Sequence, residues 1–331
     1  MGLVDTNVAE KLAGTVVFFA VPAEENIEIN FRSDLVKQGK LGFIAGKQEL
    51  LRLGHFDDID IALIIHTHSE TDYKKTALNE SCNGMVIKKI RFIGAAAHAG
   101  SAPHMGINAL NSAQLALGAI NAQRETFRER DTIRVHPIIT KGGASVNVVP
   151  AEVCIETYVR GKTNAAILDA EAKVDRALRA GAMALGATVE INTIPGYMPL
   201  KNNQGLSVIF RSNSMALFGD GEFTEAGHDA GSTDMGDISQ LMPVLHPSIG
   251  GATGAYHSAE WRITDKELAY IGKAKALALM AVDLLWGDAQ EAKTVLASYE
   301  PPMTKKEYLE LQNSRFRMEI YNGETGKSER R

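Results

Sequence analysis

Two continuous apolar runs mark the first quarter of the chain. Gly14–Pro22 reads GTVVFFAVP, rich in β-branched and aromatic residues, and Ile59–His66 reads IDIALIIH. Runs that are apolar at nearly every position predict strands buried on both faces, as in a parallel sheet. Each run ends in polar chemistry: Ala23-Glu24-Glu25 follows the first, and His66 closes the second. In open α/β sheets ligands bind outside the carboxyl ends of the strands, so both ends point at one site. Between the runs a helix is predicted around Lys47–Leu53, stopped by Gly54. Residues 67–84 (THSETDYKKTALNESCNG) read as polar and turn-like.

The pattern then changes. Met85–Ile93 predicts a strand, followed by the small-residue stretch GAAAHAGSAPHMG. Leu110, Ala113, Leu117 and Ile120 fall on one helical face. Two β-rich stretches follow, Thr132–Thr140 and Ser145–Arg160; in the second, Val153, Ile155, Thr157 and Val159 alternate with polar or mixed residues. A second amphipathic helix presents Ile167, Ala170, Val174, Leu178, Ala182 and Leu185 and stops at Gly186; Thr188–Thr193 is a strand. Strand, helix, strand, strand, helix, strand is the split βαβ, ferredoxin-like order. It covers residues 86–197 and interrupts an α/β domain of residues 1–85 and 198–292. That domain resumes with a helix near Leu206–Leu217 and the loop GSTDMGD, and ends in a long helix whose capping box is Thr264-Asp265-Lys266-Glu267. Residues 293–331 are charged and loosely patterned, which predicts a helical tail ending in a disordered NGETGKSERR.

Composition narrows the function. The chain has 331 residues, 45% of them hydrophobic, enough for sizeable cores. A net charge of −5 with no basic tract argues against nucleic acid as a partner. The apolar runs are too short to span a bilayer, which argues against a membrane protein. The first residues lack the pattern of a signal peptide, and two cysteines in so long a chain fit a reducing cytoplasm. No glycine-rich phosphate loop follows either apolar run, which argues against nucleotide binding.

The candidate chemistry sits in a few residues. Of adjacent glutamates at a strand end, one can bind a metal while the other holds a water as general base; a solvated acidic loop is the commoner fate of such pairs. His66 is a ligand or a hydrogen-bonded structural histidine. His257 lies in the glycine-rich GGATGAYHSAEW, where backbone can approach a site closely, or is an ordinary surface histidine. His98 has small neighbours that leave its imidazole open to stabilise an oxyanion, or is a loop histidine like His104. Asn147 can donate to a substrate or make a turn. Arg160 can clamp a carboxylate or form a routine ion pair.

Together these segments resemble the aminoacylase, hippurate hydrolase and glutamate carboxypeptidase family of metal-dependent amidohydrolases, over about residues 14–290. GTVVFFAVPAEE is similar to its strand and Glu-Glu motif, FIGAAAHAGSAPHMGINAL to its lid segment, and KGGASVNVVPAEV to its GGxxxNVVP strand. GSTDMGDIS with a later His-Ser resembles the aminobenzoyl-glutamate utilisation branch. The resemblance implies a zinc-peptidase-like α/β catalytic domain interrupted by a ferredoxin-like α+β lid that dimerises. It implies Glu24 as general base, Glu25, His66 and His257 as ligands of a two-ion zinc or manganese site, His98 and Asn147 as lid residues reaching a neighbouring subunit's site, and Arg160 as a substrate-carboxylate anchor. Two departures stand out. The segment between Glu25 and His66, with the run ENIEINFR, is long for the family. The family's first ligands come from an upstream His-x-Asp or Cys-Gly-His, whereas here only 13 residues precede the Glu-Glu strand. The expectation is therefore a homodimeric amidohydrolase for small N-acyl or aminobenzoyl amino acids or dipeptides that lacks its N-terminal part. The alternative is a catalytically incompetent homologue, or a subunit needing a separate N-terminal half.

Overall fold

The computed structural model describes residues 2–330. They divide into two compact units. The first takes the residues up to Cys82 together with Leu200–Asp229 and Asp234–Thr304; the second takes Asn83–Pro199, Ala230–Thr233 and the residues from Lys305 onward.

In the second unit one antiparallel sheet is built around Gly84–Ile93. That strand pairs with Glu152–Gly161 on one side and Thr188–Pro195 on the other, and Ile138–Lys141 and Arg134–Val135 pair with the far edge of Glu152–Gly161. The alternation of Val153, Ile155, Thr157 and Val159 puts all four on the buried face. There the helices Ala109–Ala122 and Asn164–Leu185 pack with Val86, Ile90 and Phe92 into a single core. Asn108 caps the first helix, and Gly186, at φ 70°, ends the second in the left-handed region that glycine tolerates. This is the split βαβ topology.

The core also holds charge. Lys88 is fully buried on the helix-facing side of its strand, and its ammonium donates to Glu171 at 2.7 Å, to Asp175 and to Thr193 at 2.7 Å. Arg317 donates to Glu171 as well, so two cations meet two anions. Arg317 belongs to the C-terminal segment, which is helical in part as expected but ends in strands rather than in a disordered tail. Lys305–Ser314 is a helix, Arg317–Asn322 adds an antiparallel strand to the Thr188–Pro195 edge, and Ser328–Arg330 adds another. The buried positions of that strand are Glu319 and Tyr321, only one of them a ring, too little apolar pattern to outweigh the surrounding charge in a reading of sequence alone.

In the first unit Leu206, Phe210, Ile249, Ala276 and Met280 make a core between the helices Gln204–Phe218 and Lys273–Leu285. Thr76–Cys82, read from sequence as turn-like, is a strand; it pairs in parallel with Phe223–Asp229 and antiparallel with Ser248–Ile249. Its polar residues misled the pattern because Thr76 is buried through a hydroxyl pair with Ser214. The Ile59–His66 run forms two short strands, Ala62–Leu63 and His66–Thr67, in one parallel ladder with residues 243–249.

Gly14–Pro22 contradicts expectation outright. It adopts no regular secondary structure, and Val16, Val17, Phe18 and Phe19 are exposed, Phe18 by 91%. Phe19 stacks on Phe56 at 4.6 Å, but among the described residues no strand pairs with the run. A two-sided apolar strand needs neighbours on both edges to bury its faces. The final helix starts differently as well: Asp265, rather than Thr264, caps it by accepting from the amide of Leu268 at 2.9 Å, and Glu267–Gly272 is wound as π-helix before Lys273.

Candidate active site

The Glu-Glu turn is held by backbone. Ala23 takes φ 60°, an unfavourable value for a residue with a Cβ, and its carbonyl accepts from the amide of Gly46 at 3.2 Å. A Cβ at residue 46 would lie 1.8 Å from the Pro22 carbonyl oxygen, so only glycine lets the Gly46–Leu53 helix start against this turn. The Arg32 guanidinium donates to the Glu25 carbonyl at 2.7 Å. The ENIEINFR run thus supplies a clamp for the acidic pair and a helix, Ile29–Lys37. Glu24 is half-buried and Glu25 exposed.

His66 does not close its strand as the apolar run suggested; it opens the short strand His66–Thr67, whose ladder runs on to His68. Its ring lies 6.2 Å from that of His246 and 5.8 Å from that of Tyr256. Loss of hydration lowers the His66 pKa most, and the nearby Lys273 ammonium lowers it further; the Thr67 backbone and Glu25 oppose this, and His257 adds a smaller lowering. Glu25 and His257 are therefore each within electrostatic reach of His66. His257 sits on an exposed turn at φ 59°. Ser69 donates to the Gly254 carbonyl at 2.6 Å, tying that turn to the end of the His66 strand. Among the described residues, however, no three His, Cys, Asp or Glu side chains converge closely enough to hold a metal ion. The three expected ligands share a region without forming a complete metal centre, so as they stand they do not fit the two-ion site.

Around them lie groups that pattern reading missed. Lys47 and Asp234 form a buried ion pair at 2.5 Å, and Gln48 donates to Asp237 at 3.1 Å, so the GSTDMGD loop grips the Gly46–Leu53 helix. Burial raises the Asp234 pKa despite the Lys47 charge. Burial drives the His246 pKa down to about 3, with His66 and Lys47 adding to it. His246 ends the apolar stretch Pro243-Val244-Leu245, the same signal that singled out His66, and was legible in principle. His68 is buried with its ring edge-on to Tyr73. Burial lowers Lys273 to about 8, and its ammonium donates to the Thr67 hydroxyl.

The remaining three candidates lie in the second unit. His98 and Asn147 are on adjacent segments: His98 bridges Val148, and the Ala99 amide donates to the Asn147 carbonyl at 2.9 Å. His98 Nδ1 accepts from the amides of Gly100 and Ser101, both at 3.1 Å, so a neutral ring carries its proton on Nε2. Both side chains are exposed. Arg160 lies over the Tyr158 ring and reaches the Ser232 hydroxyl at 3.5 Å.

Residues 83–184 match the family model of the peptidase dimerisation domain, so the second unit carries that domain, and the chain has a peptidase-like α/β fold. Its relatives agree. The chain is 28% identical over 253 residues to mouse Xaa-Arg dipeptidase, covering 74% of this chain and 57% of the relative. It is 30% identical over 178 residues to a p-aminobenzoyl-glutamate hydrolase subunit of Escherichia coli K12, covering 54% and 32%. Among solved structures, an aminobenzoyl-glutamate utilization protein from Klebsiella pneumoniae superposes with TM-score 0.57 at 18% identity, covering 83% of this chain and 62% of that one. A putative aminohydrolase from methicillin-resistant Staphylococcus aureus gives 0.57 at 21%, covering 72% and 62%. The chain is similar in sequence to these hydrolases, and it spans about half the length of the Xaa-Arg dipeptidases it matches.

Proposed function

We propose that the chain is the lid-bearing part of a metal-dependent amidohydrolase that cleaves the amide bond of small N-acyl or aminobenzoyl amino acids or dipeptides. The observation that carries this is the gathering of Glu25 and His257 within electrostatic reach of His66 in one unit, with Glu24 adjacent. Hydrolysis needs a proton acceptor for the attacking water, and Glu24 takes that role and later passes the proton to the leaving amine. Nε2 of His98, free to donate, and Asn147 are proposed to stabilise the oxyanion in a neighbouring copy's site. The resemblance offers Arg160 as a carboxylate anchor, but its guanidinium lies over the Tyr158 ring and reaches the Ser232 hydroxyl, which leaves that role open to another cation. Glu25, His66 and His257 are proposed ligands for divalent ions, zinc or manganese, together with donors beyond these three.

A second reading, a subunit whose site is completed by another polypeptide, is favoured by the exposed Val16–Phe19 run. Either way the lid is proposed to dimerise. Its Thr188–Pro195 edge is covered by Arg317–Asn322 and then Ser328–Arg330, and of the sheet's two ends the Ile138–Lys141 one, with Ile138 and Ile139 exposed, is the more apolar and is proposed to receive a second copy. A monomer by sedimentation at micromolar concentration would rule that out. With free thiols at Cys82 and Cys154 and no helix among the described residues long and apolar enough to cross a membrane, we place the protein in the cytoplasm.

The mechanism is tested on N-benzoylglycine with metal supplied. Glu24→Gln is expected to lower turnover at least about a hundredfold while leaving metal content unchanged, because it removes only the base. Full turnover by this variant would refute the assignment.

A further inference from the structure

Lys273 is a cation without an anion. Its side chain is half-buried, and its ammonium spends one of three donors on the Thr67 hydroxyl, in the residue between His66 and His68. Among the described residues no carboxylate stands at ion-pair distance from it, and desolvation alone lowers its pKa, to about 8. The contrast with Lys47, buried in the same unit but paired to Asp234, is direct. The backbone also departs from regularity here. Glu267–Gly272 forms a π-helical stretch ending at Lys273, and such wide turns occur often at functional sites because they re-aim the following side chain. Gly251 at φ 108°, where a Cβ would lie 2.8 Å from that of Ala269, lets the loop seat against this turn.

A desolvated ammonium is stabilised by an anion brought to it, and a charge-assisted bond there gains from the local exclusion of water. We propose that Lys273 is a specificity-determining residue that binds the free carboxylate of the substrate, selecting N-acyl amino acids and dipeptides over amides that lack an acid group. This rests on the amidohydrolase reading above for the identity of the substrate. Lys273 lies in the same unit as Glu25, His66 and His257, and its charge is felt by His66. Arg160, the anchor implied by resemblance, already engages Tyr158 and Ser232.

The test reads Lys273 itself. The full chain is acetylated with limiting acetic anhydride, and modification at each lysine is followed by peptide mass spectrometry, with exposed Lys266 and Lys275 as internal standards. Saturating N-benzoylglycine is expected to slow labelling of Lys273 about tenfold, the scale of one charge-assisted bond. N-benzoylglycinamide, lacking the carboxylate, is expected to leave it unchanged, and the two standards should not respond to either. By calorimetry, Lys273→Gln should weaken N-benzoylglycine binding about tenfold and Lys273→Arg should retain it. Equal labelling of Lys273 with the acid and the carboxamide, or unaltered binding by Lys273→Gln, overturns the proposal. The outcomes separate from those of the parent reading. Turnover with an unprotected Lys273 removes the anchor alone, whereas protection without turnover supports the anchor and removes the hydrolase.

Discussion

The second unit, proposed above as the lid, and the first unit, proposed to carry the catalytic groups, satisfy their strands differently. In the lid, the main apolar face of the sheet has a cover: two helices close that side, and the chain's own C-terminal strands close the Thr188–Pro195 edge, while Ile138 and Ile139 stay exposed. In the other unit, the most apolar run of the chain, Val16–Phe19, stands exposed. The Ala62–His68 ladder is paired on one edge only among the described residues. Hydrophobicity marks a segment that needs burial; it does not supply the neighbours. The lid contains its own. The Glu-Glu turn, by contrast, lies outside any strand, with Gly46 and Arg32 among the residues that hold its backbone.

The largest expected effect lies where closure is most complete. Lys88→Ala would strand Glu171 and Asp175 in the lid core with only Arg317 to compensate, and removal of one member of a buried ionic cluster costs about 3–5 kcal/mol. Urea unfolding followed in the lid should show this as a large loss in midpoint. A change below about 1 kcal/mol would mean that the lid core is less tightly closed than the comparison holds.

A smaller effect is expected in the other unit, from His246. Its folded pKa, about 3, lies below its ordinary 6.5. Above pH 6.5 both folded and unfolded forms are neutral and the residue contributes no pH dependence. As pH falls from 6.5 toward 3 the unfolded state takes up the proton first, so stability declines by up to roughly 1 kcal/mol per pH unit and levels off below the folded value. His246→Gln should flatten that part of the urea-midpoint profile between pH 7 and pH 4. An unchanged slope would show that His246 is better hydrated than its packing against His66 suggests.

What the pattern of residues revealed follows the same division. The lid was legible because its strands and helices are amphipathic over long stretches and their partners are local. The Asn164–Leu185 helix and its Gly186 stop could be read directly. The C-terminal strands were not legible: Arg317, Glu319 and Tyr321 face the core through ion pairs and one ring, which a count of apolar residues reads as polar tail. Of the candidate site, the run-end rule proposed His66, and applied again it would also propose its neighbour His246. It misjudged Gly14–Pro22, since burial depends on strands the pattern cannot supply. Lys273 carries no local signal at all, because its role depends on Thr67, 206 residues away.

The central claim is that Glu25, His66 and His257 are part of a metal centre which these three side chains do not complete. Bound zinc and manganese per chain, measured by elemental analysis after exhaustive dialysis, tests it most directly. The account predicts well under one tightly held ion per chain for the 331-residue protein, falling further in His66→Ala, and a rise when a polypeptide supplying the further donors is added. Stoichiometric, tightly held metal on the protein by itself, unaffected by His66→Ala, would contradict it.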